Sequence, residues 1–274
     1  MTLTTLRLSK AGAKVACHSV GRGAPVVLIH GVGLQSAAWG PQIEALSAQN
    51  HVIALDMPGH GGSDPLPDGS RLDAFVSWAA EALEALALGP VSLAGHSMGA
   101  LIAGGIAVDH PALVRRVALL SPVFRRCPSD RAAVEARAAL IREGEINHAA
   151  PLSRWFSSAP EERAVRAATQ GWLEAVSPTG YATAYSAFAT GDATYANRMN
   201  EISAPLLALT GSEDANSTPA MALSIANTVQ NGRTKIIEGH RHMVNLTAPD
   251  LVNHALADWL LQSGTNTLIN EVAS

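Results

Sequence analysis

Residues 91–101 have the sequence Val91-Ser92-Leu93-Ala94-Gly95-His96-Ser97-Met98-Gly99-Ala100-Leu101. The apolar start of this stretch predicts a buried strand, and the residues from Ala100 to Val108 predict a helix. Ser97 stands between them in a Gly-x-Ser-x-Gly pattern, the context of a reactive serine on a sharp strand-to-helix turn. A tight turn with a solvated serine has the same pattern, so the decision depends on partners elsewhere in the chain.

If Ser97 is the reactive serine, the two glycines have a steric role. Such a turn strains the backbone at Ser97, and a side chain at Gly95 or Gly99 would collide with the neighbouring helix or strand. The first turn of the helix directs unpaired N–H groups and its positive dipole end towards the serine. We therefore expect a negative charge to be stabilised beside Ser97.

Composition limits the class of protein. The 274 residues are 47% hydrophobic and 15% charged, which supports a sizeable core. The net charge of −4 gives no indication of nucleic-acid or membrane-surface binding. Two cysteines, Cys17 and Cys127, are too few for a disulfide framework or a metal site. Neither a signal peptide nor a run of about 20 apolar residues is present, so we expect a cytoplasmic monomer or homodimer.

Strand-like and helix-like segments alternate over most of the chain. Eight segments are strand-like, and they lie at 3–9, 14–20, 25–30, 51–55, 91–94, 114–120, 204–209 and 234–237. Helical spacing predicts helices at 37–48, 72–88, 219–229 and 249–261. This order predicts an α/β fold with a doubly wound, mostly parallel sheet and a site at the carboxyl ends of its strands. A hairpin turn is predicted at Ala11-Gly12, and a loose tail after Gly264.

The alternation is interrupted between residues 124 and 199. This segment has helical patches at 131–142, 161–176 and 181–188, many arginines and no clear strand. We interpret it as a helical cap inserted between the two parts of the core, residues 1–123 and 200–274.

Partners for Ser97 follow two later strands. An acid, Glu213 or Asp214, comes after the strand at 204–209, and a histidine, His240 or His242, comes after the strand at 234–237. The order serine, acid, histidine is that of one of three arrangements of serine hydrolases. The chemistry needs all three, because an imidazole must take the serine proton and a carboxylate must hold the imidazole in one tautomer.

Two other loops follow central strands. His30-Gly31-Val32-Gly33 stands where a second oxyanion N–H is required, so the Val32 amide is predicted to act with that of Met98. Asp56 begins the loop Asp56-Met57-Pro58-Gly59-His60-Gly61-Gly62-Ser63, whose composition indicates a structural turn.

Five motifs in this order resemble the α/β-hydrolase superfamily over essentially the whole chain. They are His30-Gly31-Val32-Gly33, the loop of residues 56–63, Gly95-His96-Ser97-Met98-Gly99, Gly211-Ser212-Glu213-Asp214, and His242-Met243-Val244-Asn245 followed by Pro249. The resemblance implies an eight-stranded sheet, Ser97 as nucleophile, His242 as base and Asp214 as orienting acid. The Val32 and Met98 amides would form the oxyanion hole. Haloalkane dehalogenases have aspartate at the elbow, so halide displacement is not expected.

The cap resembles that of 3-oxoadipate enol-lactonases. Arg154-Trp155-Phe156, Trp172-Leu173 and Pro178-x-Gly180-Tyr181 carry this similarity, while residues 121–126 depart from the enol-lactonase pattern. Trp155 is predicted to bind substrate. Arg125 and Arg126 follow the strand beside the elbow strand, and one of the two is predicted to bind a substrate carboxylate. A charge-balanced, solvated surface is the alternative for the cap arginines.

The predicted function is cofactor-independent and metal-independent serine hydrolysis of a carboxylic ester or lactone of a small molecule, one that can carry a carboxylate. Amide hydrolysis or peracid formation by the same three residues is one alternative. A ligand-binding receptor with a slow hydrolase site is the other.

Overall fold

The computed structural model describes residues 2–9 and 12–262. The predicted tail after Gly264, and Ala11 of the predicted hairpin turn, lie outside these residues. Eight strands form one sheet, and they are β1 Thr2–Arg7, β2 Lys14–Val20, β3 Ala24–Ile29, β4 Asn50–Leu55, β5 Val91–His96, β6 Val114–Leu120, β7 Leu206–Gly211 and β8 Gly232–Ile237.

The sheet is mostly parallel, as the sequence predicts. The strand order is β1-β2-β4-β3-β5-β6-β7-β8, and within the described residues β2 runs in the direction opposite to the other seven strands. From β3 the chain passes to β4 on one side, and later to β5 on the other side. The carboxyl ends of β3 and β5 therefore flank the crevice where ligands bind in sheets of this kind.

Ten α-helices cover the sheet and its carboxyl edge. They are α1 Gly40–Leu46, α2 Leu72–Leu86, α3 Met98–Asp109, α4 Pro128–Arg142, α5 Ala149–Trp155, α6 Arg163–Ala175, α7 Pro178–Gly191, α8 Pro219–Thr228, α9 Val244–Thr247 and α10 Pro249–Leu261 in the described residues. The helix predicted at 37–48 is present in two parts. A 3-10 helix at Ser36–Trp39 directly precedes α1, and Pro41 fits the first turn of the α-helix.

Each face of the sheet has its own apolar layer. In β3, Val26 and Leu28 pack with Trp259 on one face, while Val27 and Ile29 pack with Phe75 on the other. This follows from the alternation of side chains along a strand, with both faces covered by helices. The wholly apolar sequence of β3 is thus explained by burial on both sides.

The residues between β6 and β7 form helices α4 to α7, and the described part of this segment contains no strand. The boundaries of the cap at residues 124 and 199 stay a prediction. One contact joins this segment to the core, and a pair of ion pairs joins its beginning to its end. The main chains of Gly59 and Gly180 touch, since a Cβ placed on Gly180 would lie 2.6 Å from the Gly59 Cα. Asp192, after α7, forms ion pairs with Arg126 and Arg131 at 3.2 and 3.0 Å.

No helix in residues 2–9 and 12–262 combines the length and the apolar composition that a membrane span needs.

Candidate active site

Ser97 occupies the turn between β5 and α3 in a strained conformation, with φ 54° and ψ −113°. Positive φ is costly for a serine, by about 1–3 kcal/mol, and persists only where the surroundings impose it. A Cβ on Gly95 would overlap the carbonyl of Gly99, and one on Gly99 would overlap the carbonyl of Ile29 in β3. The glycines therefore allow β5, α3 and β3 to meet closely enough to hold the serine in this conformation.

His242 and Asp214 meet across the loops that follow β8 and β7. Nδ1 of His242 lies 2.8 Å from Oδ2 of Asp214, and both side chains are buried. Oδ1 of Asp214 accepts hydrogen bonds from the backbone amides of Asn216 and Ser217, each at 2.9 Å. Burial would raise the pKa of Asp214, but His242 and these amides outweigh it, so the pKa is lowered. Asp214 is therefore held as a carboxylate.

The competing residues of the two loops have other contacts. Nδ1 of His240 lies 2.9 Å from the Thr247 hydroxyl, and the half-exposed Glu213 lies 3.7 Å from Arg241. The geometry brings together His242 and Asp214, the pair that the resemblance implies.

The backbone of His242 is also held in place. Nε2 of His96 and the hydroxyl of Ser121 both donate to the His242 carbonyl, at 2.9 and 3.0 Å. Burial, and then the proximity of His242, lower the pKa of His96 to about 3. His96 is thus a permanently neutral donor that joins the serine turn to the histidine loop.

Two buried histidines hold the loop that contains Val32. Nε2 of His30 accepts from the Met57 amide, and Nε2 of His60 accepts from the Gly33 amide, both at 2.9 Å. Burial lowers the pKa of His60 to about 3, which preserves it as an acceptor. The loop packs on the serine, since a Cβ on Gly31 would lie 3.1 Å from the Ser97 Cβ. The oxyanion role of the Val32 and Met98 amides stays a prediction.

Asp56 holds the neighbouring turn. Its carboxylate accepts hydrogen bonds from the amides of Ser36 and Gly62 at 2.7 and 2.9 Å. These bonds are what a structural turn requires.

A cavity of about 320 Å³ lies between these loops and the cap. Ser97, His242 and Val32 line it from the core, and Trp155, from α5, lines it from the cap. The Trp155 ring stacks on that of His242, with centroids 5.6 Å apart and planes inclined by 30°. The substrate contact predicted for Trp155 remains a prediction.

The arginines predicted from the sequence have protein partners. Arg126 lines the cavity, but its guanidinium is buried against Asp192 and stacks on Phe188, with its Cζ 4.4 Å from the ring centroid. Arg125 donates to the carbonyl of Ala196 and the side chain of Asn197, and it is not among the described residues that line the cavity.

Sequence reasoning missed two other arginines in this cavity, Arg137 of α4 and Arg154 of α5. Nη1 of Arg137 donates to the Tyr185 hydroxyl at 2.9 Å, and Nε of Arg154 is buried with no hydrogen-bond partner among the described residues. Within residues 2–9 and 12–262, neither guanidinium forms an ion pair. Burial, and then Arg137, lower the pKa of Arg154. The sequence could have indicated Arg154, because it adjoins Trp155 in the motif Arg154-Trp155-Phe156.

No group of three or more His, Cys, Asp or Glu side chains in the described part of the chain is arranged to hold a metal ion.

Comparisons with known proteins agree with the fold. The sequence profile of the alpha/beta hydrolase family matches residues 26–255. The (E)-2-((N-methylformamido)methylene)succinate hydrolase of Acinetobacter baylyi is 49% identical over 240 residues, which are 88% of this chain and 91% of that protein.

Two solved structures have the same fold at low identity. The enol-lactonase of Burkholderia xenovorans superposes with a TM-score of 0.85 at 23% identity, over 94% of this chain and 100% of that one. A malate-bound thermophilic esterase of Thermogutta terrifontis has a TM-score of 0.85, also at 23% identity, over 95% and 98% of the two chains. The profile match and the relative support a hydrolytic role. The chain belongs to the alpha/beta hydrolase family.

Proposed function

We propose that this chain is a serine hydrolase in which Ser97 is the nucleophile, His242 the general base and Asp214 the residue that orients it. With Nδ1 of His242 engaged by Asp214, Nε2 is the nitrogen available to take the serine proton. Ser97 attacks the carbonyl carbon, and His242 then passes the proton to the leaving group. Water attacks the acyl-enzyme by the same route and restores the serine.

The Val32 and Met98 amides are proposed to stabilise the oxyanion of the tetrahedral intermediate. Met98 is the first residue of α3, so its amide has no partner within the helix and lies at the positive end of the helix dipole. Each such donor is worth about 3 kcal/mol of the barrier.

The observation that carries the substrate class is the pair of arginines in the cavity. Arg137 and Arg154 share it with Ser97 and His242, and neither forms an ion pair in the described residues, although Asp130 and Glu145 also line the cavity. Both arginines are partly buried, and a partly buried cation without an ion pair is stabilised by an anionic ligand. A guanidinium binds a carboxylate through two parallel hydrogen bonds. We therefore propose a small substrate with two carboxylates.

The relative from Acinetobacter baylyi indicates the bond. Its printed substrate is a succinate that carries an N-methylformamido group, and succinate has two carboxylates. We propose that this chain cleaves the C–N bond of an acylated amine on such a dicarboxylate. Ester or lactone cleavage, which the sequence analysis predicts, is the second candidate, because the same three residues perform it and the cap motifs resemble those of enol-lactonases.

The test compares four substrates on the purified protein. They are (E)-2-((N-methylformamido)methylene)succinate, its uncharged dimethyl ester, an anionic half-ester and an enol-lactone. We expect many turnovers on the dicarboxylate amide and a kcat/KM at least about 100-fold lower on the dimethyl ester. A higher kcat/KM on the half-ester or the lactone would favour the second candidate. A single burst without turnover would favour a receptor.

Ser97→Ala, assayed on the best substrate, tests the mechanism. We expect activity to fall at least about 10⁴-fold. Ser92→Ala is a matched control, because Ser92 is equally buried on β5 and does not line the cavity in the described part of the chain. A Ser97→Ala protein with the activity of Ser92→Ala would refute the mechanism.

A further inference from the structure

The last turn of cap helix α5 is attached to the loop that carries His242. Nη1 of Arg241 donates to the carbonyls of Phe156 and Ser153, at 2.8 and 3.1 Å. These are carbonyls that the end of a helix leaves without intrahelical partners, and the positive guanidinium also meets the negative end of the helix dipole. Because Arg241 directly precedes His242, the position of the base and that of the α5 end depend on each other.

Trp155 is the last residue of α5, and its indole lies on the imidazole of His242. The ring centroids are 5.6 Å apart with planes inclined by 30°, and both residues are buried. His96 lies 5.0 Å from the same imidazole, but it is neutral, because burial lowers its pKa to about 3. Asp214 binds the ring edge at Nδ1. The cap therefore supplies an aromatic face to the residue proposed to move the proton.

We propose that Trp155 is a positioning residue that acts through His242, stabilising the imidazolium formed when Ser97 loses its proton, and that Arg241 maintains this contact. The proposal rests on the function assigned above to His242. It differs from the substrate contact predicted for Trp155 from the sequence.

The physical basis is the attraction between a cation and an aromatic face. The indole face is negative and attracts a cation within about 6 Å of the ring, and the effect is largest where water is excluded. Neutral imidazole gains little from it, so the contact favours the transition state over the ground state, and its loss lowers kcat more than it raises KM. Arg137 and Arg154 line the same cavity and oppose a positive charge on His242. Arg126 also lines it but is paired with Asp192, and the carboxylates of Asp130 and Glu145 lie on the same cavity wall. Asp214 and the Trp155 face offset that repulsion.

The kinetic test compares Trp155→Leu with Trp155→Phe. We expect Trp155→Leu to lower kcat about 5- to 30-fold, with KM within about twofold of wild type. Trp155→Phe keeps an aromatic face and should recover most of kcat. Trp172→Leu is the matched control, because Trp172 is a half-buried tryptophan of cap helix α6 outside the catalytic cavity in the described residues, and it should have wild-type kcat. A KM effect alone, or equal losses in Trp155→Leu and Trp155→Phe, would overturn the proposal.

A second test needs no substrate and remains valid if the assigned function fails. Protonated imidazole quenches the fluorescence of an indole in contact with it, and neutral imidazole does so far less. We expect the difference in emission between wild type and Trp155→Phe to fall on protonation of His242, which NMR of its imidazole follows in the same samples as the pH is lowered. In a His242→Gln background this difference should not change with pH. A fall of the same size in both backgrounds would show that another group is responsible and would overturn the proposal.

Arg241 is tested by the same signal. Arg241→Met removes the bonds to α5 and should lower both the quenching and kcat, whereas Arg241→Lys should retain part of each. Wild-type quenching and kcat in Arg241→Met would remove Arg241 from the proposal. If activity survives in Ser97→Ala while the quenching results hold, the assigned function is wrong and the contact stands.

Discussion

The cavity beside Ser97 has a floor, formed by loops of the core, and a roof, formed by helices of the cap, and the two differ in how their charged groups are paired. The floor consists of the loops after β3, β5, β7 and β8, where Asp214 accepts bonds from two amides and His242, and the His242 carbonyl accepts from His96 and Ser121. The roof consists of cap helices α4, α5 and α7, where Arg137 and Arg154 have no counter-ion among the described residues. The floor is joined by hydrogen bonds around Asp214 and His242, while two cations of the roof form no ion pair in the described residues. We therefore expect the chemistry to depend on the floor and ligand recognition on the roof.

The largest effect that would test this division is expected in the floor. Asp214→Asn places an amide beside Nδ1 of His242, where it stabilises neither the required tautomer nor the imidazolium. We expect kcat to fall about 10³- to 10⁴-fold with KM nearly unchanged, measured under steady-state conditions. Glu213→Gln, in the adjacent half-exposed acid, should change kcat less than about threefold. Equal losses in the two variants would contradict the assignment of Asp214.

The next effect concerns Arg126, a cavity arginine that forms an ion pair with Asp192. Asp192→Asn leaves the buried guanidinium of Arg126 without its charged partner, so we expect unfolding to become easier by about 3 kcal/mol. Urea denaturation measures this change, and Asp130→Asn, an exposed acid on α4, should shift the unfolding free energy by less than about 0.5 kcal/mol. Similar unfolding free energies for the two variants would show that Asp192 does not stabilise the guanidinium of Arg126.

Substitutions of Arg137 and Arg154 should instead lower activity and leave stability nearly unchanged. Arg137→Met and Arg154→Met break no ion pair, so we expect little loss of stability. Each should lower kcat/KM about 10- to 100-fold for a dicarboxylate substrate and less than about threefold for its uncharged diester. Arg142→Met, an exposed arginine of α4, is the control. Equal losses on both substrates would show that Arg137 and Arg154 support the cap structure instead of binding carboxylates.

The last prediction concerns the response of two buried core histidines to acid, measured as stability and not as activity. Burial lowers the pKa of His60 and of His96 to about 3, while the unfolded chain titrates near 6.5. Their contribution is therefore complete above pH 6.5 and is lost as the pH falls towards 3, because only the unfolded state then takes up protons. We expect about 1.4 kcal/mol less unfolding free energy per histidine for each pH unit below 6.5. Urea titrations at pH 8, 6 and 5 measure it, and an unfolding free energy constant from pH 8 to 5 would contradict buried, neutral histidines.

The floor was also the part that the sequence predicted well. Its residues adjoin strand ends, and apolar runs together with glycine spacing mark those ends locally. The loops around Ser97, Asp214 and His242 could therefore be placed at one edge of the sheet before their contacts were known. The preference for Asp214 over Glu213 came from the resemblance, since spacing alone does not show which acid turns inward.

The roof could not be predicted in the same way. Helix α5 was missed because it has seven residues and contains Pro151, which weakens the helical signal. Arg125 and Arg126 were selected for their place beside a strand end, but the buried partner of Arg126 is Asp192, more than sixty residues later. The packing of α4, α5 and α7 decides which arginine is neutralised, and no local pattern contains that information.

The contact between Gly59 and Gly180 has a consequence for access to the cavity. Two main chains touch there without an intervening side chain, so rotamer changes cannot separate them. Asp56 further restrains the core side of this contact through its bonds to Ser36 and Gly62. Leu140 and Glu145, which also line the cavity, are exposed to solvent. The start of α7 is therefore a point at which the cap cannot be released from the core by side-chain rearrangement alone.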